Sequence, residues 1–197
     1  MGIERDPHAT GASGGGHGSL HRVSDVTLVP VSPEMKPTFV SQIQEAFQVS
    51  FEDLNGPWSQ KILPAEDVEQ SFAAPGAEAY FAMSGDDVLG GAIITAEPGG
   101  ERGELALLYV KVGSQGTGTG RAIWEGLEAM HPEVSVWETT TPYHEKRNIH
   151  FYVNKLGFHI VEFFHQGHRD PHQHGDQVGG MPADVSSELF RFEKRRR

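Results

Sequence analysis

Hydrophobic positions along this chain recur with two periods, and the switches between them divide it into elements. Val26-Thr27-Leu28-Val29-Pro30-Val31 alternates and is rich in β-formers, which predicts a first strand with Pro30 at its end or at an edge. Ser32 is placed as an N-cap and Pro33 as the first helical residue. Phe39, Ile43 and Phe47 then repeat at i, i+4 and i+8, the pattern of an amphipathic helix, and Asn55-Gly56-Pro57 ends it. A short helix with an acidic first turn is predicted over 64–72. Three strands follow, over 77–83, 88–96 and 104–112. The turns at Ser84-Gly85-Asp86-Asp87 and Pro98-Gly99-Gly100 make them consecutive and antiparallel, and Gly90-Gly91 allows a bulge or close packing.

The third of these strands feeds the stretch that organises the rest. Leu107-Leu108-Tyr109-Val110-Lys111-Val112 runs into glycines at 113, 116, 118 and 120, and then into Ala122 to Met130, which has helical spacing. Glycine admits φ > 0 and lets a ligand approach the backbone. A helix start aims unpaired N–H groups and the positive end of its dipole at one point, so strand, loop and helix together predict an anion site, such as one for phosphate. No Gly-Lys-Ser/Thr closes the run, which excludes a Walker loop, and the glycine spacing does not fit Gly-x-Gly-x-x-Gly. It does fit Gln/Arg-x-x-Gly-x-Gly, as Gln115, Gly118 and Gly120. A plain glycine-rich turn before an ordinary helix remains the alternative.

After this helix a strand is predicted over 134–139, joined by a right-handed parallel crossover. A helix follows over 145–156, with Ile149, Tyr152 or Val153, and Leu156 at helical spacing and Gly157 as its C-cap. A strand over 158–164, a polar loop over 165–184 and a closing strand over 189–194 complete the order, the last two strands pairing antiparallel. The elements describe one mixed α/β domain over 26–197, of the α+β type, with a central, mostly antiparallel sheet of six or seven strands.

Composition narrows the possibilities. Residues 1–25 are rich in glycine, serine and histidine and have little to bury, so they read as a flexible leader, with an origin in an expression tag as one reading. The formal charge of −11 argues against general binding to nucleic acid or to an anionic membrane, and it suits a cationic substrate such as an amine. No apolar run reaches the length of a membrane span, and no basic-then-apolar order opens the chain, which points to the cytoplasm. With no cysteine there is no thiolate nucleophile and no cysteine zinc site. His165, His168, His172 and His174 with Asp170 and Asp176 could ligate zinc, but their loop context and flexible spacing fit solvated histidines or a substrate cover better, so no metal is expected.

Two motifs in order, Leu108-Tyr109-Val110 before Gln115-x-x-Gly118-x-Gly120-Arg121-Ala122, and Asn148-Ile149-His150-Phe151-Tyr152 through Leu156-Gly157-Phe158, resemble those of the GNAT superfamily of acetyl-CoA-dependent N-acetyltransferases. The likeness spans about Val26 to Lys194. It implies a GNAT-like fold with helices on both faces of the sheet, and acetyl-CoA as co-substrate. By this resemblance the amides of Gln115, Gly116, Thr117, Gly118, Thr119, Gly120 and Arg121 would hold the pyrophosphate. Backbone groups of Leu108, Tyr109 and Val110 would pair with the pantetheine arm, one of their amides polarising the thioester carbonyl. Tyr152 would be the general acid for the departing thiolate, and Asn148 and Asn154 could bond the cofactor or order water. Where many members carry a coenzyme-binding Asn, seven residues before Tyr152, this chain has Glu145.

Each role has a plainer alternative. Tyr152 follows Phe151 on one helix and could be only a core aromatic. For the base, Glu104, Glu138 and His150 lie near the predicted cleft, though surface exposure is the commoner fate of such residues. The resulting expectation is acetyl transfer to a primary amine by direct attack in a ternary complex, with acetyl-CoA and an amine as partners and a homodimer as a candidate assembly. A catalytically silent acyl-CoA sensor and a metal-binding or interaction protein are the rivals.

Overall fold

A computed structural model describes residues 26–97, 99–171 and 188–196; the predicted leader, His172, His174 and Asp176 lie outside the described residues. Seven strands and four α-helices follow the order β1 (Thr27–Pro30), α1 (Lys36–Asn55), α2 (Ala65–Ala73), β2 (Ala77–Ser84), β3 (Asp87–Ala96), β4 (Arg102–Val110), α3 (Thr119–Met130), β5 (Val136–Pro142), α4 (Lys146–His150), β6 (His159–Phe164) and β7 (Leu189–Arg195). A π-helix over Phe151–Leu156 continues α4. The strands form one sheet in the order β1-β2-β3-β4-β5-β7-β6. Among the described residues only β4 and β5 run parallel, as the α3 crossover requires.

Three expectations need adjustment. Ser32 makes no side-chain cap, and Pro33 opens a 3-10 turn over Pro33–Met35 instead of α1 itself, which starts at Lys36. The helix predicted over 145–156 is α-helical only to His150. The closing strand β7 does pair antiparallel with β6, and it also pairs with β5 along Val136–Pro142, so it lies between them. Gly90-Gly91 fulfils both of its readings. The β2–β3 register slips by one residue beside Gly90, between the pairs Ala82↔Gly90 and Met83↔Val88. At Gly91 a Cβ would lie 2.7 Å from the Phe39 ring, so only glycine lets α1 sit this close.

Helices cover both faces. On one, α1 and α2 bury Phe39, Ile43, Val68, Phe81, Ile93 and Tyr109. Phe39 is fully buried and meets the rings of Phe72, Phe81 and Tyr109 with centroids 5.2–5.4 Å away. On the other, α3 and the π-helix bury Leu105, Ile123, Trp124, Leu127, Trp137, Tyr152, Phe158 and Phe192. Burial of these large apolar side chains supplies the main driving force for holding the layers together.

Candidate functional site

The glycine loop takes the conformation its spelling predicts. Gly113, Gly116 and Gly118 have φ of 88°, 76° and 90°, a left-handed region costly for other residues. Gly118 is the N-cap of α3, and the first intrahelical bond runs from the Ala122 N–H to the Gly118 carbonyl at 3.0 Å. The N–H groups of Thr119, Gly120 and Arg121 therefore precede the helical ladder and point out of its positive end. The loop holds its own shape: the Gly113 N–H donates to the Gln115 side chain at 2.7 Å, and Thr117 Oγ1 donates to the Ser114 carbonyl at 2.8 Å. A Cβ at Gly113 or Gly116 would meet nothing within 4 Å, so open space lies beside the backbone. Gly120 is the packing glycine, where a Cβ would come 3.0 Å from the Phe151 ring. Arg121 lies on the outer face of α3 in an i, i+4 ion pair with Glu125 at 2.7 Å.

Upstream, β4 parts from β5. Their register covers only Arg102↔Val136, Gly103↔Trp137 and Glu104↔Glu138. Just past the last pair, the β3 register slips at Ala106, since Ile94 pairs Leu105 while Ile93 pairs Leu107. Such a bulge bends its strand. Beyond it the Lys111 N–H donates to the Leu89 carbonyl at 2.9 Å, so its pair is the hydrogen-bonded one. Alternation along an antiparallel ladder then turns the amides of Leu108 and Val110 away from β3 and into the gap. Tyr109 turns its backbone to β3 and its side chain to α1, where its hydroxyl donates to Gln42 Oε1 at 2.9 Å. Burial raises the pKa of that phenol.

Tyr152 approaches the gap from the α3 face. It is 8% exposed and packs against Phe158 and Phe192, and the Thr139 side chain acts on its hydroxyl. Thr139 in turn donates to the Leu105 carbonyl at 2.8 Å, tying β5 to β4 where they separate. Burial first, with the charge of Glu145 as a lesser cause, pushes the Tyr152 phenol up to about 12, so it holds its proton at neutral pH. Gly157 in the left-handed region (φ 79°) and a bond from the Phe158 N–H to the Tyr152 carbonyl at 2.9 Å fix this turn.

The carboxylates named from sequence, Glu104 and Glu138, form the last pair before β4 and β5 part. Glu138 and Thr139 are successive strand residues and point to opposite faces, so Glu138 faces away from Tyr152. It is ion-paired with Arg102 and lies 3.6 Å from Arg191, which also binds Glu162 and Glu193 at 3.0 and 2.9 Å. Glu104, its register partner, is exposed at the neck where the strands part. His150 is exposed and bonded to Asn154 at 2.9 Å, while Asn148 is half-buried on α4. Two residues that were not assigned a catalytic role from sequence, His144 and Glu145, follow the end of β5, and the charge of Glu145 acts on the Tyr152 phenol. Glu145 is 8% exposed, and its Oε1 lies 3.5 Å from His144 Nε2. In the polar loop, His168 bonds Glu162 at 2.9 Å, and among the described residues no group of three or more His, Cys, Asp or Glu could hold a metal.

A sheet that opens beside a glycine-lined helix start defines a class of fold, and comparison identifies the family. The profile of the acetyltransferase (GNAT) family matches residues 40–158. The Bacillus subtilis (strain 168) protein YrkN is 39% identical over 160 residues, covering 80% of this chain and 86% of that one. This chain belongs to the GNAT acetyltransferase family, and it is an acyltransferase. Solved structures share the fold. An acetyltransferase from Thermus thermophilus is similar with a TM-score of 0.61 and 20% identity, over 89% of this chain and 99% of that one. A GNAT family acetyltransferase from Elizabethkingia anophelis with acetyl-CoA bound reaches 0.60 at 14% identity, over 87% and 98%. No helix among the described residues is long and apolar enough to cross a membrane.

Proposed function

We propose that this protein transfers the acetyl group of acetyl-CoA to a primary amine by direct attack in a ternary complex. One observation carries the reading: the left-handed glycine cradle at the α3 N-terminus stands at the mouth of a gap into which β4 turns two amides, with a protonated tyrosine at its neck. The residues present fit acetyl-CoA. Amides from Gln115 to Arg121 suit its pyrophosphate, and the β4 edge suits the amide-bearing arm. The related fold with acetyl-CoA bound supports this assignment.

Bound there, the co-substrate supplies a thioester whose carbonyl carbon accepts the amine. The Leu108 and Val110 amides are positioned to stabilise charge developing on the thioester oxygen, and Leu108 is nearer along the strand to the Thr139–Leu105 link. Tyr152 donates its proton to the departing sulfur. No cysteine exists to form a cysteinyl acyl-enzyme, in keeping with direct transfer. The net charge of −11 favours a cationic acceptor.

The burial of Tyr152 favours one second reading, a sensor that binds acyl-CoA without turnover. Calorimetry with acetyl-CoA followed by a thiol-release panel of primary amines separates the two. Binding with transfer is expected. Binding with no transfer to any amine would leave the sensor, and no binding would end both.

A further inference from the structure

Seven buried side-chain N and O atoms among the described residues have no hydrogen-bond partner, and three of them, His144 Nδ1, His144 Nε2 and Glu145 Oε2, belong to one dipeptide. Buried polar atoms in folded proteins are nearly always partnered, so a cluster of unpartnered ones marks a place prepared for something else. Glu145 Oε1 and His144 Nε2, 3.5 Å apart, are within ion-pair reach but longer than a formed hydrogen bond.

The position of the pair gives the cluster its meaning. His144 and Glu145 follow the end of β5, the strand that borders the gap. Glu145 acts on the Tyr152 hydroxyl through its charge. His144 sits edge-on to Phe51 of α1, 6.2 Å between centroids, and Phe51 packs against Trp58 in the loop before α2. The two residues thus connect the tyrosine on the α3 side with an aromatic wall on the α1 side. Two neighbouring charged groups are engaged: Arg147 with Asp53 of α1 at 3.4 Å, and Lys146 with the Tyr143 carbonyl at 3.0 Å. The His144 side chain is 22% exposed through its carbons, while both ring nitrogens are buried.

We propose that Glu145 binds the acceptor's ammonium and takes its proton, with His144 beside it to share that proton. The inference rests on the acetyl-transfer reading and adds the missing base to it. The steps balance. The ammonium gives one proton to Glu145, which shares it with His144 and releases it once the products have left. The neutral amine forms the N–C bond as the C–S bond breaks, and Tyr152 protonates the sulfur. The second N–H proton returns to Tyr152, so one proton is released per amide formed.

The test compares wild type, Glu145→Asn and Glu145→Gln. Acetyl-CoA affinity is read by calorimetry, and kcat/KM for the best amine of the panel is read from about pH 6 to 10. Both variants should bind acetyl-CoA within about twofold of wild type, lose about 100-fold in kcat/KM near neutrality, and regain rate in proportion to hydroxide as the amine deprotonates in bulk. Two substitutions guard against one that fails to fold. Transfer at the wild-type rate in Glu145→Asn, or a loss in both variants that is equal at every pH, would overturn the proposal. Wild type that binds no acetyl-CoA would overturn the acetyl-transfer reading, and this one with it.

Discussion

The two margins of β4 are built from the same nine residues and do opposite things. Toward β3 the strand is paired from Gly103 to Val110, broken only by the bulge at Ala106, and its Tyr109 ring closes a cluster with Phe39 and Phe81. Toward β5 the pairing stops after Glu104. The contrast separates two uses of one backbone. Paired groups are spent within the sheet, while amides left facing a gap are available to a ligand without moving the chain. The bulge joins the uses, because it lets β4 stay bound on one side while bending away on the other.

Substitutions on the two margins should therefore separate stability from chemistry. Phe39→Ala, on the paired side, is expected to cost about 3–5 kcal/mol of stability in denaturant melts. Its folded fraction should bind acetyl-CoA normally, and a matching loss of affinity would break the distinction. Tyr152→Phe, on the open side, should lower kcat about 100-fold while calorimetric acetyl-CoA affinity stays within about twofold. Since burial pushes the Tyr152 phenol up to about 12, wild-type kcat should show no alkaline fall from this group below about pH 10, and an earlier fall would remove it as the acid. Gly118→Val strains a residue held at φ 90° by about 1–2 kcal/mol. The strain should displace the loop amides and weaken acetyl-CoA binding about tenfold. Tyr109→Phe removes the bond to Gln42 and should cost about 0.5–1.5 kcal/mol of stability, with kinetics unchanged. A kinetic effect there would mean that the two margins are coupled.

Much of this was legible in the sequence where local chemistry decides the backbone. Alternation marked the strands, Phe39, Ile43 and Phe47 marked α1, and Gly113, Gly116 and Gly118 were spelled as the loop uses them, since few other residues tolerate their φ. The rest depends on partners. The alternation of β7 suits pairing with either β5 or β6, so its insertion between them carries no local mark. Ala106 is an ordinary strand residue, and only the registers on its two sides reveal the bulge. The sequence grouped Leu108, Tyr109 and Val110 together, but direction along the ladder gives Tyr109 to the core and its neighbours' amides to the gap. The π-helix that sets Tyr152 against Phe158 and Phe192 departs from α-helical spacing, so that packing could not be read in advance.

The insertion of β7 also bears on the order in which the molecule assembles. Strands β2, β3 and β4 meet through tight reversals such as Ser84↔Asp87 and can form as soon as they are synthesised. β5 pairs β7 across separations of 47 residues, from 142 to 189, up to 59, from 136 to 195. Distant pairings of this kind form late, after the entropy of closing the intervening loop has been met. A nascent chain would thus hold its glycine cradle and β4 edge before the opposite wall is secured, and the gap between them is the last part of the enzyme to become a defined shape.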